Sequence, residues 1–366
     1  MSASSKVRAA VAVATAAGGV GVAVGYGGRS LLRRQAATAR RLIGKPLGEQ
    51  ALDADKTYRK RYGGRPVELL VLGDSIAAGL GAETPGDTFG ARVAKHVASE
   101  LERPVRLRSV AQVGAESSML GDQLAELPPG YRADVAVLVV GGNDVTHRVP
   151  VADSVRHLRE AIEALGERGI PVVVGTCPDL GALRPVPQPL RSLGSRASRQ
   201  LAAAQRAAAV AAGARAVSLA DVVGPFFITN PDEMFSLDRF HPSAAGYKRT
   251  AKAVLPSVLA ALGHLDEVPF GHHAPVTAPV DRPADEAPEA AAAAGASGDP
   301  ADGGAEVDAT DDATDDATHG ATDDATAGTD PREGWDVDDW GIDDQVVGGS
   351  RDHAEATGPA GSSAAS

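Results

Sequence analysis

The sequence has little of what staples or cofactor sites need. It has one cysteine, Cys177. A lone cysteine excludes an intramolecular disulfide, a Cys-x-x-Cys redox pair and a thiolate zinc cage. Aromatic residues make up only 4% of the chain, and both tryptophans, Trp335 and Trp340, lie near the C-terminus, away from any expected core. The nine histidines show no ligand spacing, and the paired aspartates of the C-terminal region lack the pattern of a calcium loop. No metal and no organic cofactor is therefore expected. A base-reading motif is also missing, so the basic N-terminus does not point to nucleic acid.

What is present divides the 366 residues into three parts. Residues 1–65 carry 13 Lys and Arg against Glu49, Asp53 and Asp55, whereas residues 271–366 carry 23 Asp and Glu against three arginines. The stretch between is nearly neutral, which reads as a folded body with charged ends. Residues 9–28 form an uncharged run of Ala, Val and Gly that just suits a membrane-spanning helix. We read it as an anchor of open orientation, with a signal peptide and a soluble Ala-rich segment as the alternatives. Membrane association is the resulting localisation, against a secreted or cytoplasmic protein. The arginines that follow the run favour a cytoplasmic body if the helix is retained.

Residues 271–366 are rich in Ala, Asp, Thr, Gly and Pro, with DDAT repeated. Such a composition cannot offset its ordering entropy, so a disordered acidic tail is expected. WDVDDWGIDD at 335–344 reads either as a docking motif for a basic protein partner or as inert solvated chain. Neither end holds a catalytic block, so both are expected to be dispensable for chemistry.

Between the ends, short apolar runs at 67–72, 105–110, 135–140, 171–175 and 215–219 alternate with helix-like stretches at 88–102, 117–127, 152–168, 196–212 and 243–262. Several runs lack polar alternation, as in strands buried on both faces of a parallel sheet. Five strand–helix alternations predict a three-layer α/β/α domain with a five-stranded parallel sheet, spanning 66–265. Its ligand site should lie beyond the carboxyl ends of the strands.

Chemistry-bearing residues stand at those ends. The first run leads into Gly73-Asp74-Ser75, a strand-to-helix turn that presents a serine hydroxyl. The second leads to Gly114, where backbone N–H can approach a substrate closely. The third ends in Gly141-Gly142-Asn143-Asp144, and the Asn143 amide is a potential donor. Before the last helix, Asp238 precedes His241 by three residues, a spacing that lets a carboxylate turn back onto an imidazole. His147 is placed at the rim. The loops 178–191 and 224–237 are the candidates for substrate contact; Phe226, Phe227, Ile228, Met234 and Phe235 of the second either line an apolar acyl pocket, Phe226, Phe227 and Met234 foremost, or pack the last helix on the sheet.

GDSIAAG, Gly114, GGND and DRFHPSAAGY resemble, in order, the four blocks of the SGNH/GDSL hydrolase family. The resemblance covers roughly 66–262 and implies a flavodoxin-like fold. It also implies a Ser-His-Asp ester hydrolase: Ser75 the nucleophile, His241 the base, Asp238 its partner, and an oxyanion hole of Ser75, Gly114 and Asn143. Gly73, Asp74, Gly141 and Asp144 support these. The partner implied is a small-molecule ester, with short-to-medium acyl esters or lysolipids preferred and an O-acetylated carbohydrate as the alternative. A membrane-tethered interaction protein using its acidic tail is the alternative from another class.

Overall fold

A computed structural model describes residues 27–275; the apolar run up to residue 26 and the acidic region from 276 onward lie outside the described residues. Among the described residues, no helix is long and apolar enough to cross a membrane.

The chain opens with helix α1 (27–43) and the two-residue strand β1 (Thr57–Tyr58). The alternation foreseen in the sequence follows: β2 (Val67–Gly73), α2 (Ser75–Ala78), α3 (Phe89–Leu101), β3 (Val105–Ser109) and α4 (Leu120–Ala125). Next come β4 (Val135–Val139), α5 (Gly142–Thr146), α6 (Val151–Glu167), β5 (Val172–Gly175), α7 (Leu190–Ala211) and β6 (Arg215–Val217). The short helices α8 (Leu219–Val222), α9 (Gly224–Thr229) and α10 (Pro231–Met234) lead into α11 (Ala244–Ala261), and β7 (His272–His273) closes the sheet.

The sheet order is β1-β3-β2-β4-β5-β6-β7. The pairs β3–β2, β2–β4, β4–β5 and β5–β6 are parallel, whereas β1 and β7 are antiparallel edges. The expected five-stranded parallel sheet is thus the centre of a seven-stranded mixed one. It also extends past both limits of the 66–265 span. Two-residue strands carry no periodicity of their own, so only the neighbouring strand reveals them. His272 also corrects the expected start of the tail at 271: its Nδ1 lies 2.7 Å from the buried Ser257 Oγ of α11. Ser218 N donates to the carbonyl of Gly271 at 2.8 Å, so these residues are tied to the body.

The central strands bury both faces. On β2, Leu69 and Val71 face α3 and α11, while Leu70 and Leu72 face α4 and α6. β4 repeats this with Val137 and Val139 against Ala136 and Leu138. Period-two side chains with both sets apolar are what the unbroken runs require.

Two glycines position the site. Gly73 has φ 128°, and a Cβ there would stand 1.8 Å from the Val139 carbonyl oxygen, so only glycine lets β2 end against β4. At Gly246 a Cβ would meet the Met234 carbonyl at 2.3 Å, so α11 can start beside α10 only without one. The next residue, Tyr247, is fully buried and donates its hydroxyl to the Leu80 carbonyl at 2.6 Å, binding α11 to the turn after Ser75. Tyr247→Phe leaves that carbonyl unsatisfied and should cost about 1–3 kcal/mol of stability. Urea denaturation checks this; a loss near zero would mean that the hydroxyl does not tie the two elements.

Candidate active site

Ser75 begins α2 directly after β2. Asp74 caps that helix, its Oδ1 accepting from Ile76 N at 2.9 Å. Ser75 Oγ lies 3.0 Å from His241 Nε2, and His241 Nδ1 lies 2.6 Å from Asp238 Oδ2. Asp238 Oδ1 also accepts from the backbone N–H of Phe240 and of His241, each at 2.9 Å. This loop closes because Arg239 takes a left-handed conformation, φ 56°, uncommon for a residue with a Cβ. Burial alone would raise the Asp238 carboxyl. The hydrogen bond and charge of His241, with the two N–H donors, outweigh it and hold the group below its ordinary value.

The loops that follow β3 and β4 are tied to one another. Asn143 sits in the first turn of α5, its Nδ2 donating to the Ala115 carbonyl at 2.9 Å, which fixes the amide beside the Gly114 turn. Asp144 is buried and accepts from Ser117 N at 3.1 Å and from Ser154 Oγ at 2.6 Å. It therefore fastens the Gly114 loop to α5 and α6. His147 stays away from Ser75 and pairs with Glu116 Oε1 at 2.7 Å, a second clasp between the same two loops.

Two glutamines have structural roles in the site that sequence reasoning passed over. Gln123 is fully buried and bonds both backbone groups of Gly73, accepting from N and donating to O at 2.9 Å each. Gln205 bridges the ends of β4 and β5, donating to the Val140 carbonyl at 3.0 Å and accepting from Cys177 N at 2.7 Å. The available signal was an amide on the apolar stripe of a helix: Gln205 stands one turn from Leu201 and Ala209, Gln123 beside Leu120 and Leu124.

A cleft adjoins Ser75 and His241. Its apolar wall comes from Leu180, Leu183, Leu219, Val223, Phe227, Phe235 and Phe240. Of the five candidates in the 224–237 loop, Phe227 and Phe235 line it. Phe226 turns outward under the Arg249 guanidinium, 3.9 Å from its ring centroid, and Met234 is buried beneath the α10–α11 junction. On the short helices α9 and α10 successive residues point to different sides, so the loop's composition did not say which ring faces inward. Among the described residues no three His, Cys, Asp or Glu side chains gather as a metal would require.

Residues 71–249 match the sequence model of the GDSL-like lipase/acylhydrolase family. A GDSL-like esterase of Mycobacterium tuberculosis is 36% identical over 281 residues, 73% of this chain and 88% of the relative. The chain belongs to this family. It is a carboxylic ester hydrolase of the serine esterase and acylhydrolase type. Solved structures that resemble it include an acetylxylan esterase of Geobacillus stearothermophilus, with 17% identity, a TM-score of 0.43, and coverage of 57% of this chain and all of the other. Another is the lipase/acylhydrolase of Enterococcus faecalis, with 20% identity, a TM-score of 0.39, and coverage of 55% and 97%.

One buried carboxyl in this esterase is held above its ordinary range. Burial, opposed by N–H donors of Ile76 and Gly142, pushes Asp74 from 3.8 up to about 6. Folding therefore takes up a proton between those values, and ionising Asp74 costs stability, fully above about pH 6 and hardly at all below 4. Asp74→Asn removes this titration. The unfolding free energy of the native protein minus that of the variant should fall as pH rises through this window, as read by urea denaturation. A rising difference would contradict the assignment.

Proposed function

We propose that Ser75, His241 and Asp238 form the catalytic triad of this esterase and that it acts on short-to-medium acyl esters, lysolipids included. The observation that carries the reading is the continuous hydrogen-bonded chain from Asp238 through His241 to the Ser75 hydroxyl. His241 Nε2 takes the hydroxyl proton as Ser75 Oγ attacks the acyl carbonyl. Asp238 keeps the proton of Nδ1 in place, so that Nε2 is the nitrogen free to accept, and stabilises the imidazolium that results. His241 then gives its proton to the departing alcohol. Water, deprotonated by the same nitrogen, releases the acid from the acyl-enzyme.

The carbonyl oxygen becomes an oxyanion at the attack, and the donors assigned to it are Ser75 N–H, Gly114 N–H and Asn143 Nδ2. Asn143 spends one amide hydrogen on the Ala115 carbonyl, which leaves the other for the substrate. The donor is fixed before charge develops, the condition under which such groups act most strongly. The apolar wall from Leu180 to Phe240 suits an acyl chain.

A second reading, an O-acetylated carbohydrate as substrate, has one feature in its favour. A second cleft reaches Ala77, two residues after Ser75, and brings Gln50, Asp53, Ser109 and Gln112 into a lining that also includes Leu52, Leu107 and Val113. Butanoyl and octanoyl esters, a lysolipid and acetylated xylan assayed together separate the two. Preference for the xylan would displace the first reading.

Ser75→Ala should lower turnover by about 10³–10⁶ while the fold persists. Asn143→Ala should lower kcat by about 10²–10³ with KM nearly unchanged, because its donor acts on the transition state. Steady-state kinetics on a soluble ester checks both. Substantial hydrolysis by the serine variant removes Ser75 as nucleophile, and a raised KM at constant kcat makes Asn143 a ground-state contact instead.

A further inference from the structure

Helix α1 lies wholly outside the family match at 71–249, yet it is packed against the acyl pocket. Its inner face is small. Ala36 and Ala39, one turn apart, are 1% and 0% exposed and meet Leu183, Val186 and Leu190. Phe235 and Phe240 pack on the same cluster. Leu183, Phe235 and Phe240 also line the cleft beside Ser75. The same three side chains thus face the cleft and belong to the cluster that α1 packs on.

Gln35 adds a polar tie. Its Oε1 accepts from Leu190 N at 3.0 Å, and its Nε2 donates to the Gln188 carbonyl. One side chain thus satisfies an acceptor of the Pro-rich loop and an N–H in the first turn of α7, where that loop ends. Ordering such a loop costs roughly 1–2 kcal/mol per residue in backbone entropy, so its position depends on what it is tied to.

We propose that α1 is a specificity-determining element of the esterase: through Gln35, Ala36 and Ala39 it sets the depth of the acyl pocket, and with it the acyl length accepted. The inference rests on the reading of the apolar cleft as the acyl site. Alanines at 36 and 39 let the helix approach the loop as far as its backbone allows. A larger residue there drives Leu183 inward, because a packed interior has no slack to absorb it. Loss of the Gln35 tie lets the loop move outward. This assigns residues of the basic N-terminal segment, expected from sequence to be dispensable for chemistry, a part in choosing substrate.

The test uses full-length protein and p-nitrophenyl esters from acetyl to decanoyl, with kcat and KM measured for each. Ala36→Leu should lower kcat/KM for the octanoyl ester about tenfold or more relative to the acetyl ester, the size of effect that one or two misplaced methylenes produce. Gln35→Ala, at a half-buried position that tolerates truncation, should shift the octanoyl-to-acetyl ratio the other way, by about fivefold. The acetyl ester reports the triad and should change little in both. A loss uniform across all chain lengths in both variants makes α1 a merely structural support and overturns the proposal. A wild-type profile indifferent to acyl length overturns the acyl-pocket reading itself, and this inference with it.

Discussion

The hydrogen bond from Ser75 to His241 joins two turns that lie 166 residues apart in the chain. A bond of this kind adds only about 1 kcal/mol to stability, so it cannot hold those turns together. The surrounding structure must do so and leave the bond free to exchange its proton. Parallel strands with buried faces fix the end of β2, and Gln123 locks the last peptide of that strand from behind. On the other side, Tyr247 ties α11 to Leu80, and the left-handed Arg239 lets Asp238 reach back to the imidazole. Each of these contacts is buried and directional, which is why the relay has a single geometry.

Three buried aspartates divide the electrostatic work. Asp238 is held ionised by donors that outweigh its burial and serves the imidazole. Asp144 spends its oxygens on Ser117 and Ser154 and so positions the turn that carries Gly114. Burial pushes the Asp74 carboxyl up to about 6, so the turn that carries Ser75 is built at some energetic cost once that group ionises. Such a cost is common where backbone donors must be held close to a reacting centre.

Much of this was legible in the sequence because it depends on local pattern. VELLVL and VAVLVV are unbroken apolar runs, and only strands covered on both faces need them. Ser75, Gly114, Asn143 and His241 each follow a recognisable strand end or precede a helix cap, so the meeting of Ser75 with His241, and of Asn143 with the loop after Gly114, followed from the α/β order. The rest depends on partners distant in sequence. β1 and β7 are two residues long and exist only as additions to β3 and β6. Gln123 and Gln205 resemble ordinary helix residues until the strand ends they serve are in place. Phe226 and Phe227 are neighbours of the same type, yet one faces Arg249 and the other the cleft. The alanines of α1 gave no sign of their role, since a small residue marks a close approach only once the approaching loop is known.

The central claim is that His241 activates Ser75 alone. Its most direct measurement is mass spectrometry of the protein after exposure to a fluorophosphonate, with the rate of adduct formation compared between the native protein and His241→Gln. The account predicts one adduct, on the peptide carrying Ser75, forming about 10³-fold or more slowly in the variant. An adduct on another residue, or an unchanged rate without the imidazole, would contradict it.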